Sequence, residues 1–196
     1  IEQRQVKDAS ELELIAKAQS ITDAAFEHIL GFITPDRTEL EVALELEFFM
    51  RKNGADGIAF ETIAVSGSAS SMPHGVPRPV KLEKGFFTMD FGARLDGYCS
   101  DMTRTVVLGK ADEDMKKLYN TVLTAQKAAL EYVCEGALCK QADTVARDII
   151  NNAGYEGRFG PGLPQISDGQ MLFMLNGVEK LKEGSGRMEI IQNGSS

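Results

Sequence analysis

The sequence predicts an α+β fold in which helices lie on one face of a curved, mainly antiparallel sheet. Three observations predict it. Apolar residues recur at helical spacing in two well-separated segments, aromatic and β-branched runs flank an Asp-Gly dipeptide between them, and a helix-helix-glycine pattern occurs twice, about one hundred residues apart.

Leu14, Ala18, Ile21, Ala25 and Ile29 fall on one helical face, which predicts a helix over 11–30 with Ser10 as N-cap and Gly31 following its end. Residues 38–50 read as a second helix that runs into Asn53-Gly54-Ala-Asp-Gly57. A strand over 59–66 and a loop over 67–79 follow, and then two strands, 86–94 and 98–108. Asp96-Gly97 between these strands favours the tight type I′ turn of a hairpin. Leu118, Val122, Ala125, Ala129 and Val133 then repeat the spacing of the first helix, starting after Asp112 and stopping near Gly136. Residues 139–152 repeat the second, ending in Ala153-Gly154-Tyr-Glu-Gly157. Two copies with so long a period predict a duplicated half-domain with pseudo-symmetry and a site between the halves. The apolar runs 170–178 and 187–192 are available as strands of the second copy.

With 196 residues, 43% hydrophobic and 26% charged, the chain is long enough for one substantial core, and a single domain over 1–196 is expected. A formal charge of −8 argues against nucleic acid or an anionic membrane surface as partner and favours a cationic ligand or metal. No apolar run reaches the roughly 18 residues of a membrane span. Cys99, Cys134 and Cys139 lack metal-ligand spacing and suit a reducing compartment, so a cytoplasmic location is expected.

Asp90 and Asp101 lie in the hairpin. With Asp96-Gly97 as the two-residue loop, Asp90 faces Thr103 and Asp101 sits diagonal to Asp90 on the same face. A slip of the loop to Leu95-Asp96 would put the carboxylates directly opposite. Two like charges aimed at one volume call for a cation, a shared proton or water, and a divalent metal site is the sharp reading. A polar face open to solvent is the plain one.

Three runs carry a family resemblance: Ser66-Gly-Ser-Ala-Ser-Ser-Met-Pro-His74-Gly-Val-Pro77, Met89-Asp-Phe-Gly-Ala93, and Gly97-Tyr-Cys-Ser-Asp-Met-Thr-Arg-Thr105. Together they resemble the pita-bread metallopeptidases, nearest to Xaa-Pro aminopeptidases and prolidases, in register over residues 6–160. Methionine aminopeptidases share the fold and the His-Gly-x-Pro element and are the second alternative. The resemblance implies the duplicated fold and a smaller domain ahead of this chain, whose first residue is Ile1. It implies two divalent ions, Mn²⁺, Zn²⁺ or Co²⁺, with Asp90 chelating one and Asp101 bridging both. A water acidified by the two cations would attack a carbonyl polarised by a metal. His74 would contact the substrate backbone near the scissile bond. Short peptides with proline at the second position are the implied substrate, and a homodimer is compatible with the family. His28 matches no family role and is read as structural.

The pattern then breaks. The family site takes two aspartates, one histidine and two glutamates, but this chain has two histidines in all, and both precede Asp90. The histidine-rich segment of the type FGHGxGHGVG is absent, because Arg158-Phe-Gly160 runs directly into Pro161-Gly-Leu-Pro164. The second half is thus shortened after residue 160. Leu175 stands where a glutamate ligand is expected, and Gly184-Ser-Gly-Arg-Met-Glu189 resembles GGVRIE, making Glu189 the last ligand and Arg187 its neighbour. Asp90, Asp101 and Glu189 would hold one loosely bound ion or none, of the Mg²⁺ or Mn²⁺ kind. The expected function is a proline-specific metallo-exopeptidase with impaired hydrolysis. The alternatives are a pita-bread binding module without peptidase chemistry and a nonfunctional truncated product.

Overall fold

The computed structural model describes residues 6–72 and 74–155. These fall into two compact units, Lys7–Lys110 and a second that begins at Ala111.

The first unit opens with α1 (Ala9–Phe32) and α2 (Glu39–Lys52). Both start in capping boxes. Asp8 accepts from the Glu11 N–H while the Glu11 carboxylate takes the Asp8 N–H, and Thr38 and Glu41 do the same for α2. The N-cap of α1 is therefore Asp8 rather than Ser10, whose hydroxyl donates to Asp8 Oδ1 at 2.6 Å. A carboxylate at the cap recruits both an amide and a hydroxyl, so it wins over the serine two positions on. Nor does Gly31 terminate α1; it lies inside the last turn, and Ile33 caps the helix with its N–H on the Ile29 carbonyl. His28 is structural as expected, stacked on Phe49 with ring centroids 4.2 Å apart and its Nε2 2.6 Å from Glu45 Oε1.

The strands are β1 (Gly57–Ile58), β2 (Ile63–Ser66), β3 (Gly85–Phe91), β4 (Ala93–Leu95), β5 (Tyr98–Cys99) and β6 (Met102–Leu108). All pair antiparallel, in two three-stranded sheets ordered β1-β4-β5 and β2-β3-β6. The strand expected over 59–66 is confined to Ile63–Ser66, the separate two-residue strand β1 precedes it in the other sheet, and the long hairpin is shared between both sheets. Helix α1 packs on β4 and β5, and α2 on β1 and β2. Ala18, Ala25 and Ile29 from α1, Val42, Leu46 and Met50 from α2, and Phe87, Met89 and Phe91 from β3 are all fully buried. Odd positions of β3 therefore fill the core, and even positions, Phe86, Thr88 and Asp90, line the opposite face.

One fully buried carboxylate, Glu39, joins α2 to the loop after β2. It accepts from the Ser66 N–H and hydroxyl, both at 2.8 Å, and from Arg78 Nη2 at 2.7 Å and Nε at 2.9 Å. Burial pushes this carboxyl up, but the Arg78 guanidinium and the Ser66 donors outweigh it and hold it at about 2.

The second unit contains α3 (Glu113–Tyr132), capped by Asp112 as the sequence predicts, α4 (Cys139–Ile150) and a π-type turn over Asn151–Tyr155. Ala125, Ala129 and Ala146 form its core, with Ile149 and Ile150 packed against them. Gly54 after α2 and Gly154 after α4 both adopt positive φ, 106° and 83°, so the glycine repeat marks the same left-handed turn twice. The runs 170–178 and 187–192 lie outside the described residues.

Glu39 sets an acid limb. Its folded-state value of about 2 lies below the ordinary 4.5, so it contributes stability above 4.5 that is lost as pH falls toward 2. Urea unfolding at stepped pH should show a loss on the order of 3 kcal/mol over that window, absent in Glu39→Gln, which is itself less stable at neutral pH.

Candidate metal centre

The geometry of the site follows from the hairpin turn. Asp96 and Gly97 both take positive φ, 48° and 84°, as a type I′ turn requires. Leu95 pairs with Tyr98 and Asp90 with Thr103. The Asp96-Gly97 loop is therefore in register, the slipped alternative is excluded, and Asp101 sits diagonal to Asp90 on the same face.

Between the two sheets the hairpin ladder is interrupted at Gly92 on one strand and at Ser100 and Asp101 on the other. A Cβ at residue 92 would lie 2.0 Å from the Ser100 carbonyl oxygen, so only glycine permits this backbone approach. Behind the break is a buried polar node. The Ala93 N–H donates to Ser100 Oγ at 2.9 Å and to Thr22 Oγ1 at 3.2 Å, the two hydroxyls are 2.6 Å apart, and Thr22 also donates to the Ala18 carbonyl at 3.2 Å. Ser100 is thereby tied to α1, and Asp101, the next residue, turns to the other face.

The two carboxylates meet there. Asp90 is 3% exposed, and its Oδ1 is buried with no hydrogen-bond partner among the described residues. Burial pushes the Asp90 carboxyl up. Hydrogen bonds from Thr103 and Asp101 and the charge of the His74 imidazole partly oppose this. Asp101 is pushed up to about 7, first by burial and then by the negative charge of Asp90 beside it. Without a cation the pair shares a proton near neutral pH. The plain reading of a solvated polar face therefore fails, because Asp90 is out of water.

His74 lies in the loop that follows the 3₁₀ turn Gly67–Ser71, exposed, and close enough for its charge to act on Asp90. Glu189, Arg187 and Leu175 lie outside the described residues. Among the described residues no group of three or more His, Cys, Asp or Glu side chains comes together as a metal site. The orphaned Asp90 oxygen beside a second carboxylate still fits a divalent cation, since a hard cation would satisfy that atom and relieve the repulsion. The sequence reading set Thr103 opposite Asp90 but missed the Thr22–Ser100 node and Glu39. Ser100 and Thr103 were visible within the Ser-Asp-Met-Thr run, whereas nothing local marks Thr22 or Glu39 as more than helix residues.

The model of metallopeptidase family M24 matches residues 13–176. The chain belongs to this family. Among M24 relatives, the Xaa-Pro dipeptidase of Pyrococcus furiosus is 37% identical over 216 residues, covering 98% of this chain and 62% of that protein. That span exceeds the 196 residues present here, so the relative carries residues within the matched region that this chain lacks. Solved M24 structures agree. The Xaa-Pro dipeptidase from Bacillus anthracis is 46% identical with a TM-score of 0.76, covering 79% of this chain and 44% of its own. The prolidase from Pyrococcus furiosus is 40% identical with a TM-score of 0.78, covering 81% of this chain and 48% of its own. The M24 pita-bread fold is thereby assigned, and the chain spans about half the length of these relatives.

Two outcomes follow from this geometry. In metal-free protein Asp101→Asn should leave thermal stability unchanged or raised, because it removes like-charge repulsion, and a cation held by the pair should raise the Tm of the parent chain on Mn²⁺ addition but not that of Asp101→Asn. Gly92→Ala should lower stability by about 2 kcal/mol or more in urea unfolding, because the clashing partner is backbone and cannot rotate away.

Proposed function

We propose that this chain is the catalytic portion of a proline-specific M24 exopeptidase that cleaves the bond before proline in short peptides, with hydrolysis impaired. The observation that carries the reading is the buried Asp90 and Asp101 pair with an unsatisfied carboxylate oxygen. The relatives named as Xaa-Pro dipeptidases and prolidases support its substrate class.

Asp90 and Asp101 would hold the metal, with Glu189 as the third carboxylate, and Mn²⁺ is the favoured ion. When bound, divalent ions supply Lewis-acid polarisation of a carbonyl and acidify a water. Thr103 fixes the Asp90 carboxyl by its hydroxyl, and the Thr22–Ser100 node fixes the backbone from which Asp101 projects. By the family resemblance, the exposed His74 imidazole would donate to the peptide backbone of a bound substrate. Binding of one ion rather than two follows from the missing histidine segment and from Leu175, and it lowers the rate by orders of magnitude. Residues 1–196 are read as part of one catalytic domain. The three free, exposed thiols, Cys99, Cys134 and Cys139, suit a reducing cytoplasmic setting, and no helix among the described residues is long and apolar enough to cross a membrane.

A second reading, a binding module that keeps the acidic groove without peptidase chemistry, is favoured by the missing histidine-rich run and by Leu175 at a glutamate position of the family pattern. Hydrolysis of an Xaa-Pro dipeptide with added Mn²⁺ separates the two. The enzyme reading expects slow Mn²⁺-dependent turnover that Asp101→Ala abolishes while circular dichroism is unchanged. Binding of Mn²⁺ and peptide without turnover would establish the module instead.

A further inference from the structure

The 67–77 loop that carries His74 is closed at its neck by one side chain that lies outside the loop. Glu39 Oε1 takes the Ser66 N–H and hydroxyl at the entry, each at 2.8 Å, and Arg78 Nη2 at the exit, at 2.7 Å. Glu39 Oε2 takes the Arg78 N–H at 3.1 Å and Nε at 2.9 Å. Every one of these bonds is charge-assisted, and the Arg78 pairing is bidentate. Ser66 Oγ also accepts the Glu83 N–H at 3.1 Å, and the Leu40 and Glu39 N–H groups donate to the Arg78 and Val80 carbonyls, both at 3.1 Å. Both feet of the loop are thus laced to the first turn of α2.

A fully buried carboxylate is a costly device where apolar residues would serve packing as well. Its effect here is specific to the loop. Fixing both ends removes most of the closure freedom of the intervening segment. That segment contributes one titratable side chain, His74, and it leaves β2, the strand paired with the Asp90 strand in the register Ile63 to Asp90.

We infer that Glu39 is a positioning residue, whose carboxylate clamps Ser66 and Arg78 together and so sets where the loop presents His74 to the site. The inference rests on the reading of that pair as a metal centre. Glu39 touches neither substrate nor metal and acts only through the loop. A purely structural role predicts loss of stability; the positioning role predicts in addition a change at His74 while the aspartates keep their cation affinity.

The test uses the full chain, whose two histidines give a simple imidazole proton spectrum. Mn²⁺ affinity is measured by calorimetry, and His74 line broadening is compared at equal Mn²⁺ saturation in the parent chain, Glu39→Gln, Arg78→Met and Arg78→Lys. His28, stacked on Phe49, reports by its ring-current shift whether α1 and α2 remain packed. The expected result is unchanged Mn²⁺ affinity, a several-fold fall in His74 broadening in Glu39→Gln and Arg78→Met, and partial recovery in Arg78→Lys. Arg78 is half exposed, so Arg78→Met decides the matter if Glu39→Gln loses the His28 shift. Equal His74 broadening in the parent chain and Arg78→Met overturns the inference alone. Failure of the parent chain to bind Mn²⁺ overturns the metal-centre reading and the inference with it.

Discussion

Two carboxylates held against each other at the break of one β-hairpin are the constraint around which the first unit is built. Neither position is costly by itself on an exposed strand. The cost arises because Asp90 faces Asp101 with one oxygen out of water and without a donor among the described residues. A chain that pays this must have rigid backbone on both sides, or the hairpin would slide until the aspartates reached solvent. The rigidity comes from turn chemistry at Asp96-Gly97, from the close approach at Gly92, and from the Thr22–Ser100 node that ties the break to α1.

The unit satisfies its buried polar groups in one place and leaves them unsatisfied in another. Behind the sheet, Thr22, Ser100 and the Ala93 N–H complete one another, and Glu39 has donors on both oxygens. In front, Asp90 Oδ1 has no partner among the described residues; the other buried side-chain atom without one there is the Thr62 hydroxyl. Structural polar groups are paired because an unpaired one destabilises the fold, whereas a ligand site keeps unpaired groups because the ligand completes them. This contrast separates Glu39 from Asp90, although both are acidic and both are buried.

Asp90 and Asp101 keep their geometry independently of the segments in which this sequence departs from the family pattern. Asp90 and Asp101 come from a hairpin whose register is set by its own turn and by helices that precede it. The remaining ligands of the family pattern come from segments far along the chain, and there the sequence departs from the pattern through the missing histidine-rich run and Leu175. A site assembled from distant segments would lose part of its ligand set in this way while the local hairpin remained sound. The chemistry is more vulnerable than the fold, since cation affinity depends on the number and type of donors whereas hairpin stability depends on neighbours.

The sequence by itself determined the helices, the type I′ turn, the register that sets Asp90 against Thr103, and the aspartate pair as a metal candidate. These rest on interactions between residues close in sequence: helical spacing, capping, and the positive φ of an Asp-Gly turn. Its errors were also local. Ser10 lost to Asp8 as the cap because a carboxylate gathers more donors, and the strand expected over 59–66 begins only at Ile63, opposite Asp90, because the hairpin it pairs with is broken at Gly92. Only the tertiary structure decided that Asp90 is buried with an unpaired oxygen, that Thr22 reaches across 78 positions to Ser100, and that Glu39 closes the His74 loop 27 positions from Ser66. No periodicity encodes such contacts. They exist because the helices fold back onto the sheet and exclude water from groups that must then find partners or a ligand.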